Sequence, residues 1–300
     1  MKKIHVGFLL SYDYDKLKLS IPPVYKASDK IFIAIDENLS TWSGNKFEID
    51  ESFFKWLDEF DTEKKIEIYR DNFYVPGLTG IQMDTRERHL LSLKMGIGNW
   101  LVQVDSDEYF LDFEKYVKSL RKYDCYLDNP KSHPVQISGY HIDVYKHLDD
   151  GILYVKNTCK VLLATNYPNY KLARQTRERI IYVDSYTLHE SLSRSEAELE
   201  YKLKNWSHRE DVNPVFLDKW KRANKDNYNE IKDVFYLNPK QWKDLGYVPF
   251  KTLEDITKYF EQRDDMKFSK FYLFKKNFGQ WFKHLKIFKL TKKVEFEKYF

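Results

Sequence analysis

The sequence predicts an α/β fold, with a largely parallel sheet flanked by helices and a helical C-terminal extension. Over the first half of the chain, short apolar runs typical of buried strands alternate with helical segments. Strands separated in this way by crossover segments favour a parallel sheet. The chain has 300 residues, of which 42% are hydrophobic and 32% charged. This composition is typical of a globular protein with a large core.

The predicted elements follow from local patterns. Gly96 and Gly98 come directly after a helical pattern, and glycine commonly ends a helix. The predicted strands are Ile4–Leu10, Lys30–Asp36, Lys65–Asp71 and Trp100–Val104. The predicted helices are Thr85–Met95 and Phe113–Tyr123.

Polar residues follow three of these strands at the point where each strand ends. They are Ser11-Tyr12-Asp13, Asp36-Glu37-Asn38 and Asp105-Ser106-Asp107. Ligands of parallel α/β sheets bind beyond the carboxyl ends of the strands. We therefore expect these residues to lie along one rim and to form the binding site.

The turn after the fourth strand carries three carboxylates within four residues, Asp105, Asp107 and Glu108. Such a cluster is costly unless water or a cation compensates it. Two Asp residues spaced i, i+2 at a strand end can hold a divalent cation through oxygen ligands, and the cation can bridge two phosphates. The alternative interpretation is a solvated acidic turn that caps the helix beginning at Phe113.

Residues 4 to about 210 resemble the GT-A fold of nucleotide-sugar-dependent glycosyltransferases, in particular family 2 and its relatives. The resemblance lies in VGFLLSYDYD, AIDEN and TRERHLLSLKMGIGNWLVQVDSDEYF, where Arg88, Gly98 and the Asp-x-Asp occur in the family's order. A further segment, YTLHESLSRSEAELEYKLKNWSH, is similar to lipopolysaccharide-core and capsule glycosyltransferases. There, a strand ending in His leads into a helix beginning Arg-Ser-x-x-Glu.

The resemblance implies a catalytic domain over residues 1–210 and a helical extension with a basic aromatic tail over 211–300. It implies a metal-dependent, inverting glycosyltransferase of bacterial surface polysaccharide synthesis. The donor would be a nucleotide sugar, best a UDP-sugar, and the acceptor a glycan or a lipid-linked glycan. The alternative is a non-catalytic carbohydrate- or nucleotide-binding protein that retains the fold.

The resemblance also implies a set of metal ligands for Mn²⁺ or Mg²⁺. Asp107 would bind the ion directly, and Asp105 would bind it through water or contact the ribose. His189 would be a late ligand, with His208 as the second choice, because a neutral imidazole suits Mn²⁺. Periodicity alone favours a core or surface role for His189.

The nucleotide-binding set comes from the same resemblance. Arg88 would pair with the diphosphate, as a guanidinium does well, although an exposed helical arginine is the alternative. Asp36 would accept hydrogen bonds from uracil or ribose, or would be a simple turn residue. Ser11 and Tyr12 would line the base pocket, with Tyr12 stacking on the base.

An inverting transfer needs a general base for the acceptor hydroxyl, and Asp143 and Glu190 are the candidates. Strand alternation would point His189 and Glu190 to opposite faces, unless the chain turns there. Ser193 and Glu196 are expected to form the capping box of the following helix.

The tail carries a strong charge asymmetry. Residues 266 to 294 contain nine Lys and no Asp, Glu or Arg, so the rest of the chain carries 4 − 9 = −5. Lysines interleaved with aromatics predict peripheral contact with the inner face of the cytoplasmic membrane, or a packed helix pair with snorkelling lysines. The acidic body disfavours nucleic-acid binding. Two cysteines and no recognisable targeting or spanning segment predict a cytoplasmic protein.

Overall fold

The computed structural model describes residues 2–190, 192–205 and 212–285. It confirms the predicted class, a mixed α/β architecture in which helices flank a sheet with a parallel core. The strands are β1 Ile4–Leu10, β2 Lys30–Asp36, β3 Ile66–Asp71, β4 Trp100–Asp105, β5 Glu108–Phe110, β6 Val135–Leu148, β7 Gly151–Val155, β8 Cys159–Thr165, β9 Arg179–His189 and β10 Leu245–Val248. The helices are α1 Leu17–Tyr25, α2 Glu51–Phe60, α3 Gly80–Met95, α4 Phe113–Arg121, α5 Glu196–Asn205, α6 Phe216–Arg222, α7 Leu253–Glu261 and α8 Lys270–Lys283.

The sheet has a parallel half and an antiparallel half. Strands β3, β2, β1 and β4 are neighbours in that order, and all three pairings are parallel. Beyond β4 the sheet continues through β8, β6 and β7 to β10 with antiparallel pairing, while β9 lies parallel to β6. Because β1, β2 and β4 run in the same direction, their carboxyl ends meet at one edge.

Alternation along the strands sends side chains to both faces of the parallel half. Ile31, Ile33 and Ile35 of β2 belong to the core that packs against α1, α2 and α4. Phe32 and Ala34 belong to a second core beneath α3. This double burial explains why β1 and β2 have nearly continuous apolar sequences.

Helix α3 begins five residues earlier than the apolar pattern predicted. Thr79 caps it, and Thr79 and Gln82 form a capping box. Gly96 ends the helix with a φ of 90°, as predicted. The helix can lie close to β1 because Gly7 has no side chain. A Cβ at that position would be only 2.7 Å from the Met95 sulfur.

The C-terminal extension contains α6, α7 and α8, together with one strand that the sequence did not indicate. This strand, β10, pairs with β7 and so joins the extension to the sheet. Trp220 and Trp242 share an apolar cluster with Tyr145 and Leu153. In the described part of the chain, no helix combines the length and apolarity needed to cross a membrane.

Candidate functional site

The carboxyl ends of β1, β2 and β4 surround a cavity, here called the rim cavity. All three predicted polar segments contribute to it, so the structure brings these distant parts of the chain together. Its lining residues are Leu9, Leu10, Ser11, Tyr12, Asp13, Asp36, Ser40, Thr41, Trp42, Glu87, Arg88, Asp105, Ser106, Asp107 and Lys202.

Arg88 lies buried between two carboxylates at one end of the rim cavity. Its Nε donates to Asp84 Oδ1 at 2.6 Å, and its Nη2 donates to Asp105 Oδ1 at 2.8 Å. Burial alone would lower the pKa of Arg88, but Asp105 and Asp84 outweigh it and raise the pKa. Its Nη1 is buried without a hydrogen-bond partner among the described residues. The guanidinium therefore stays charged, and its positive charge is shared between Asp84 and Asp105.

Asp107 pairs with two cationic side chains, one from the segment that leads into α5 and one from α5 itself. Its Oδ2 accepts from Arg194 Nη2 at 2.9 Å and from Lys202 Nζ at 2.8 Å. Arg194 also donates to Asp13 at 2.8 Å. Burial would raise the pKa of Asp107, but Lys202, then His189 and Arg194, lower it well below its usual value. Asp107 is therefore ionised and compensated by side chains from a distant part of the chain.

The third carboxylate of the acidic turn, Glu108, belongs to a structural ion pair behind the rim cavity. It is almost fully buried, pairs with Arg174, and lies 3.1 Å from His141 Nε2. The turn is thus neither a solvated cap nor three equivalent ligands. Each of the three carboxylates is paired with a different cation, so the mutual repulsion expected from the sequence is compensated.

His189 lies at the end of β9, beside the acidic turn. Its Nδ1 is 2.8 Å from Asp143 Oδ1, and its Nε2 is 3.9 Å from Asp107 Oδ1. Its ring stacks on His141 with a centroid separation of 4.6 Å. The carboxylate on Nδ1 fixes the ring so that Nε2 faces Asp107, as second partners do for metal-binding histidines.

The predicted metal set is only partly assembled. In the described ranges, no group of three or more His, Cys, Asp or Glu side chains is arranged to hold a metal ion. The reason is that Arg88 holds Asp105, whereas Arg194 and Lys202 hold Asp107. Mg²⁺ at nucleotide sites often takes only one or two carboxylates, with phosphates and water completing its shell. Asp107 Oδ1 and His189 Nε2 are 3.9 Å apart, a separation that one divalent ion could span at metal–ligand distances of about 2 Å. His208 lies outside the described residues.

The nucleotide-binding candidates line the other end of the rim cavity. The Asp36 carboxylate accepts four hydrogen bonds of 2.9 to 3.0 Å, from the backbone N–H groups of Asn38, Ser40, Phe73 and Tyr74. It therefore fixes two loops around the cavity. Ser11 and Tyr12 line the cavity as well, and the Tyr12 ring makes an edge contact with Tyr201 of α5, 5.0 Å between centroids.

Glu87 of α3 is a buried lining residue that the sequence did not single out. Trp42 Nε1 donates to its Oε2 at 2.8 Å. Burial raises the pKa of Glu87 to about 8, although the Trp42 hydrogen bond opposes the shift. At neutral pH this group is therefore largely a neutral carboxylic acid in an otherwise charged cavity.

A second cavity adjoins the first. Glu190 lines this second cavity. Its Oε2 accepts hydrogen bonds from Lys16 Nζ at 2.8 Å and from the Tyr109 hydroxyl at 2.9 Å. Its Oε1 lies 2.9 Å from His147 Nε2. Burial would raise the pKa of Glu190, but His147 and Lys16 lower it to about 2. Arg194 also lines this cavity, so it joins the two cavities through Asp107. Asp143, in contrast, lines neither cavity and lies buried against His189.

The segment after β9 differs in detail from the expectation. The predicted capping box of Ser193 and Glu196 is wrong by two residues, because α5 begins at Glu196. The box is formed instead by Ser195 and Glu198, with Glu198 Oε2 accepting from Ser195 N at 2.8 Å. The Arg-Ser-x-x-Glu pattern was thus a signal for Arg194, but nothing in it assigned Arg194 or Lys202 to Asp107.

The fold and these two cavities define a class, an α/β protein with a cavity lined by charged residues at the carboxyl ends of its parallel strands. No family model and no curated protein matches the chain. Among solved structures it is similar to S. aureus TarS 1–349, with 14% identity and a TM-score of 0.30 over 47% of this chain and 36% of that one. It is also similar to mannose-6-phosphate isomerase from Helicobacter pylori, with 12% identity and a TM-score of 0.31. This similarity covers 74% of this chain and 79% of that chain. The chain thus spans about a third of the TarS structure, and similarities this distant carry no argument about fold or activity.

Proposed function

We propose that the protein is a metal-dependent, inverting glycosyltransferase that uses a nucleotide sugar, best a UDP-sugar. One observation supports this most. The rim cavity is lined by Arg88 and by Asp107, and Asp107 Oδ1 lies 3.9 Å from His189 Nε2. A guanidinium and a cation-binding carboxylate are complementary to a diphosphate.

The side chains divide the work of binding the donor. Arg88 donates to a phosphate oxygen, while the ionised Asp107 and the Nε2 of His189 hold Mn²⁺ or Mg²⁺, with Asp105 nearby. Such an ion neutralises the diphosphate leaving group as a Lewis acid. Ser11 and Tyr12 contact the base. Asp36 acts through the loops that it holds, because both its oxygens accept backbone hydrogen bonds.

The acceptor, a glycan or a lipid-linked glycan, would bind in the second cavity. Glu190 lines that cavity as an ionised group, whereas Asp143 is engaged with His189. Glu190 is therefore the better placed of the two candidates. Because its pKa of about 2 makes the carboxylate itself a weak base, it would act on the acceptor hydroxyl through the His147 that it binds. Asp143 then serves to orient His189.

Calorimetry with UDP, with and without Mn²⁺, tests the donor site. We expect Mn²⁺-dependent binding in the wild type and its loss in Asp107→Asn, which keeps an oxygen acceptor for Arg194 and Lys202. Asp112→Asn is the matched control, because Asp112 caps α4 outside the cavity and Asn caps equally well. Unchanged Mn²⁺-UDP affinity in Asp107→Asn would refute the metal site.

A non-catalytic nucleotide- or carbohydrate-binding protein is the second candidate. It is favoured by the observation that Asp107 already has two cationic partners and that the described residues contain no three-ligand metal group. Release of UDP from a panel of UDP-sugars separates the two functions. Binding of a UDP-sugar without any hydrolysis or transfer, at saturating Mn²⁺, supports the second candidate.

We also propose that α8 attaches the enzyme to the inner, anionic face of the cytoplasmic membrane, where a lipid-linked acceptor would lie. Phe271, Phe274 and Phe278 form an exposed stripe on α8, with exposures of 75%, 65% and 53%. Lys270, Lys275, Lys276 and Lys283 are exposed on the same helix. Aromatic side chains between lysines suit an interfacial helix. Of the predicted segment 266–294, residues 286–294 lie outside the described part.

Sedimentation with vesicles tests this attachment. Each lysine near an anionic surface contributes on the order of 1 kcal/mol, reduced by salt. The protein should therefore sediment with anionic vesicles at low salt. It should stay in the supernatant at high salt, or when the vesicles are made of uncharged lipid. If it stays in the supernatant with anionic vesicles at low salt, the membrane proposal is rejected.

A further inference from the structure

Lys202 has an unusual position in the rim cavity. It projects from α5, lines the cavity, and donates to Asp107 Oδ2 at 2.8 Å. Its side chain is only 14% exposed. A buried ammonium is strongly desolvated, so it stays charged only beside an anionic partner. In this structure that partner is the carboxylate to which the proposed function assigns a metal ion.

Arg194 and Lys202 are not equivalent at Asp107. Arg194 bridges Asp107 and Asp13, at 2.9 and 2.8 Å, so it keeps an anionic partner if Asp107 is taken away. Lys202 donates to Asp107 alone among the described residues. Asp13 also acts electrostatically on Lys202, but of the two cations it is Arg194 that is hydrogen-bonded to Asp13. Lys202 is therefore the cation that loses its hydrogen-bonded anion when Asp107 binds something else.

The charges around Asp107 balance without a ligand. Asp13 and Asp107 carry two negative charges, and Arg194 and Lys202 carry two positive ones. A divalent cation alone would add two charges to a buried, neutral group, at a high desolvation cost. A divalent cation together with a diphosphate adds almost no net charge, and the diphosphate supplies oxygen acceptors for a displaced ammonium.

We propose that Lys202 is an exchangeable diphosphate-binding residue, which occupies Asp107 in the empty site and transfers to a phosphate oxygen when the donor binds. The inference rests on the proposed function, because it assumes that Asp107 takes a divalent cation. Lys202 then makes metal and nucleotide binding cooperative: it competes with the metal and assists the nucleotide. Coupling of this kind is reciprocal between the two ligands.

The test is the pair of affinities for Mn²⁺ alone, from the signal of free Mn²⁺ in paramagnetic resonance, and for UDP at saturating Mn²⁺, from calorimetry. In Lys202→Met we expect Mn²⁺ alone to bind about tenfold more tightly and UDP about tenfold more weakly. Opposite signs are the diagnostic, since a lysine that merely holds α5 in place would weaken both or change neither. Lys115→Met is the control, because Lys115 pairs with Asp184 away from the rim cavity.

Lys202→Arg protects the test against loss of folding. It keeps the charge, so it should retain both wild-type affinities within about threefold. Unchanged or weaker Mn²⁺ binding in a folded Lys202→Met protein overturns the inference even if the wild type binds Mn²⁺-UDP. If the wild type does not bind Mn²⁺-UDP, the proposed function fails together with the phosphate role of Lys202. The comparison with Mn²⁺ alone still decides whether Lys202 competes at Asp107.

Discussion

Helices α3 and α8 depart in opposite directions from the usual distribution of side chains. α3 buries Asp84, Glu87 and Arg88, whereas α8 buries none of its residues and exposes Phe271 and Phe274. Charged residues are rarely buried unless they are paired, and an exposed apolar face of this kind commonly marks an interaction surface. Both helices therefore indicate where the protein meets something other than its own core.

The two helices are attached to the protein by different chemistry. α3 packs on β1 and β2 through Leu91 and Met95, while its buried Glu87 and Arg88 line the rim cavity. α8 contacts the edge of β9 through amides, because the Asn277 side chain bonds both the N–H and the C=O of Tyr182. Asn277, Tyr272 and Leu273 of α8 thus face the sheet. Phe271, Phe274 and Phe278 remain exposed on the same helix.

Removal of the α3 guanidinium should have the largest effect. Arg88→Met leaves Asp84 and Asp105 without their cation, and breaking a buried ion pair costs about 3–5 kcal/mol. We expect this loss in the free energy of unfolding measured in urea. Arg86→Met is the control on the same helix, because Arg86 bonds only the exposed backbone of Asn72. Equal losses in both variants would show that the buried charges of α3 are not a special feature.

The neutral acid on α3 should produce a pH dependence. The folded pKa of Glu87 is about 8, above the usual value of about 4.3 for the unfolded chain. The folded state therefore binds more protons between these values, and stability falls as pH rises through this window, by up to about 1.4 kcal/mol per pH unit. Unfolding in urea from pH 5 to 9 should show this slope in the wild type and not in Glu87→Gln. A slope retained in Glu87→Gln would assign it to other groups.

The anchor of α8 should have a smaller effect. Asn277→Ala removes two hydrogen bonds to β9 and leaves backbone groups of Tyr182 without their partner, a loss of about 1–2 kcal/mol. The matched variant is Lys275→Ala on the exposed face, with no expected change beyond about 0.5 kcal/mol. Hydrogen exchange at the Tyr182 amide provides a local measurement. Unchanged protection there would mean that the helix does not depend on this contact.

The aromatic face should contribute least to stability and most to partner binding. Replacing Phe271, Phe274 and Phe278 together by Ser should change the free energy of unfolding by less than about 0.5 kcal/mol per site. The same variant should no longer sediment with anionic vesicles. A stability loss of several kcal/mol would mean that the face is covered within the protein, and the contrast with α3 would disappear.

Local sequence patterns predicted the parallel half well. The bounds of β1 and β2 were predicted to the residue, because strands buried on both faces leave uninterrupted apolar runs. The first turn of α3 was not predicted, since Gly80, Ile81, Gln82 and Met83 alternate between polar and apolar residues and show no helical period. β10 was not predicted either, because a strand of four residues is too short to show a pattern.

The predictability of the site follows the same division. Ser11, Asp36 and Asp105 could be assigned to one cavity, because parallel strands bring their carboxyl ends together. Glu87 could not, since nothing local distinguishes a buried helical acid from an exposed one. The pairing of Lys202 with Asp107 spans 95 residues and depends on how α5 packs, which no spacing in the sequence reports.

The long separation of these charge pairs also has a consequence for biosynthesis. Asp13 and Asp107 leave the ribosome well before Arg194 and Lys202, which follow them by 181 and 95 residues. Chains emerge at about 5–20 residues per second, so the two carboxylates wait several seconds for their counter-charges. During that interval only the apolar core beneath β1 and β4 can hold the nascent parallel half together. The rim cavity therefore completes its charge pairs late, and a chain interrupted before Arg194 would leave Asp13 and Asp107 without these two counter-charges.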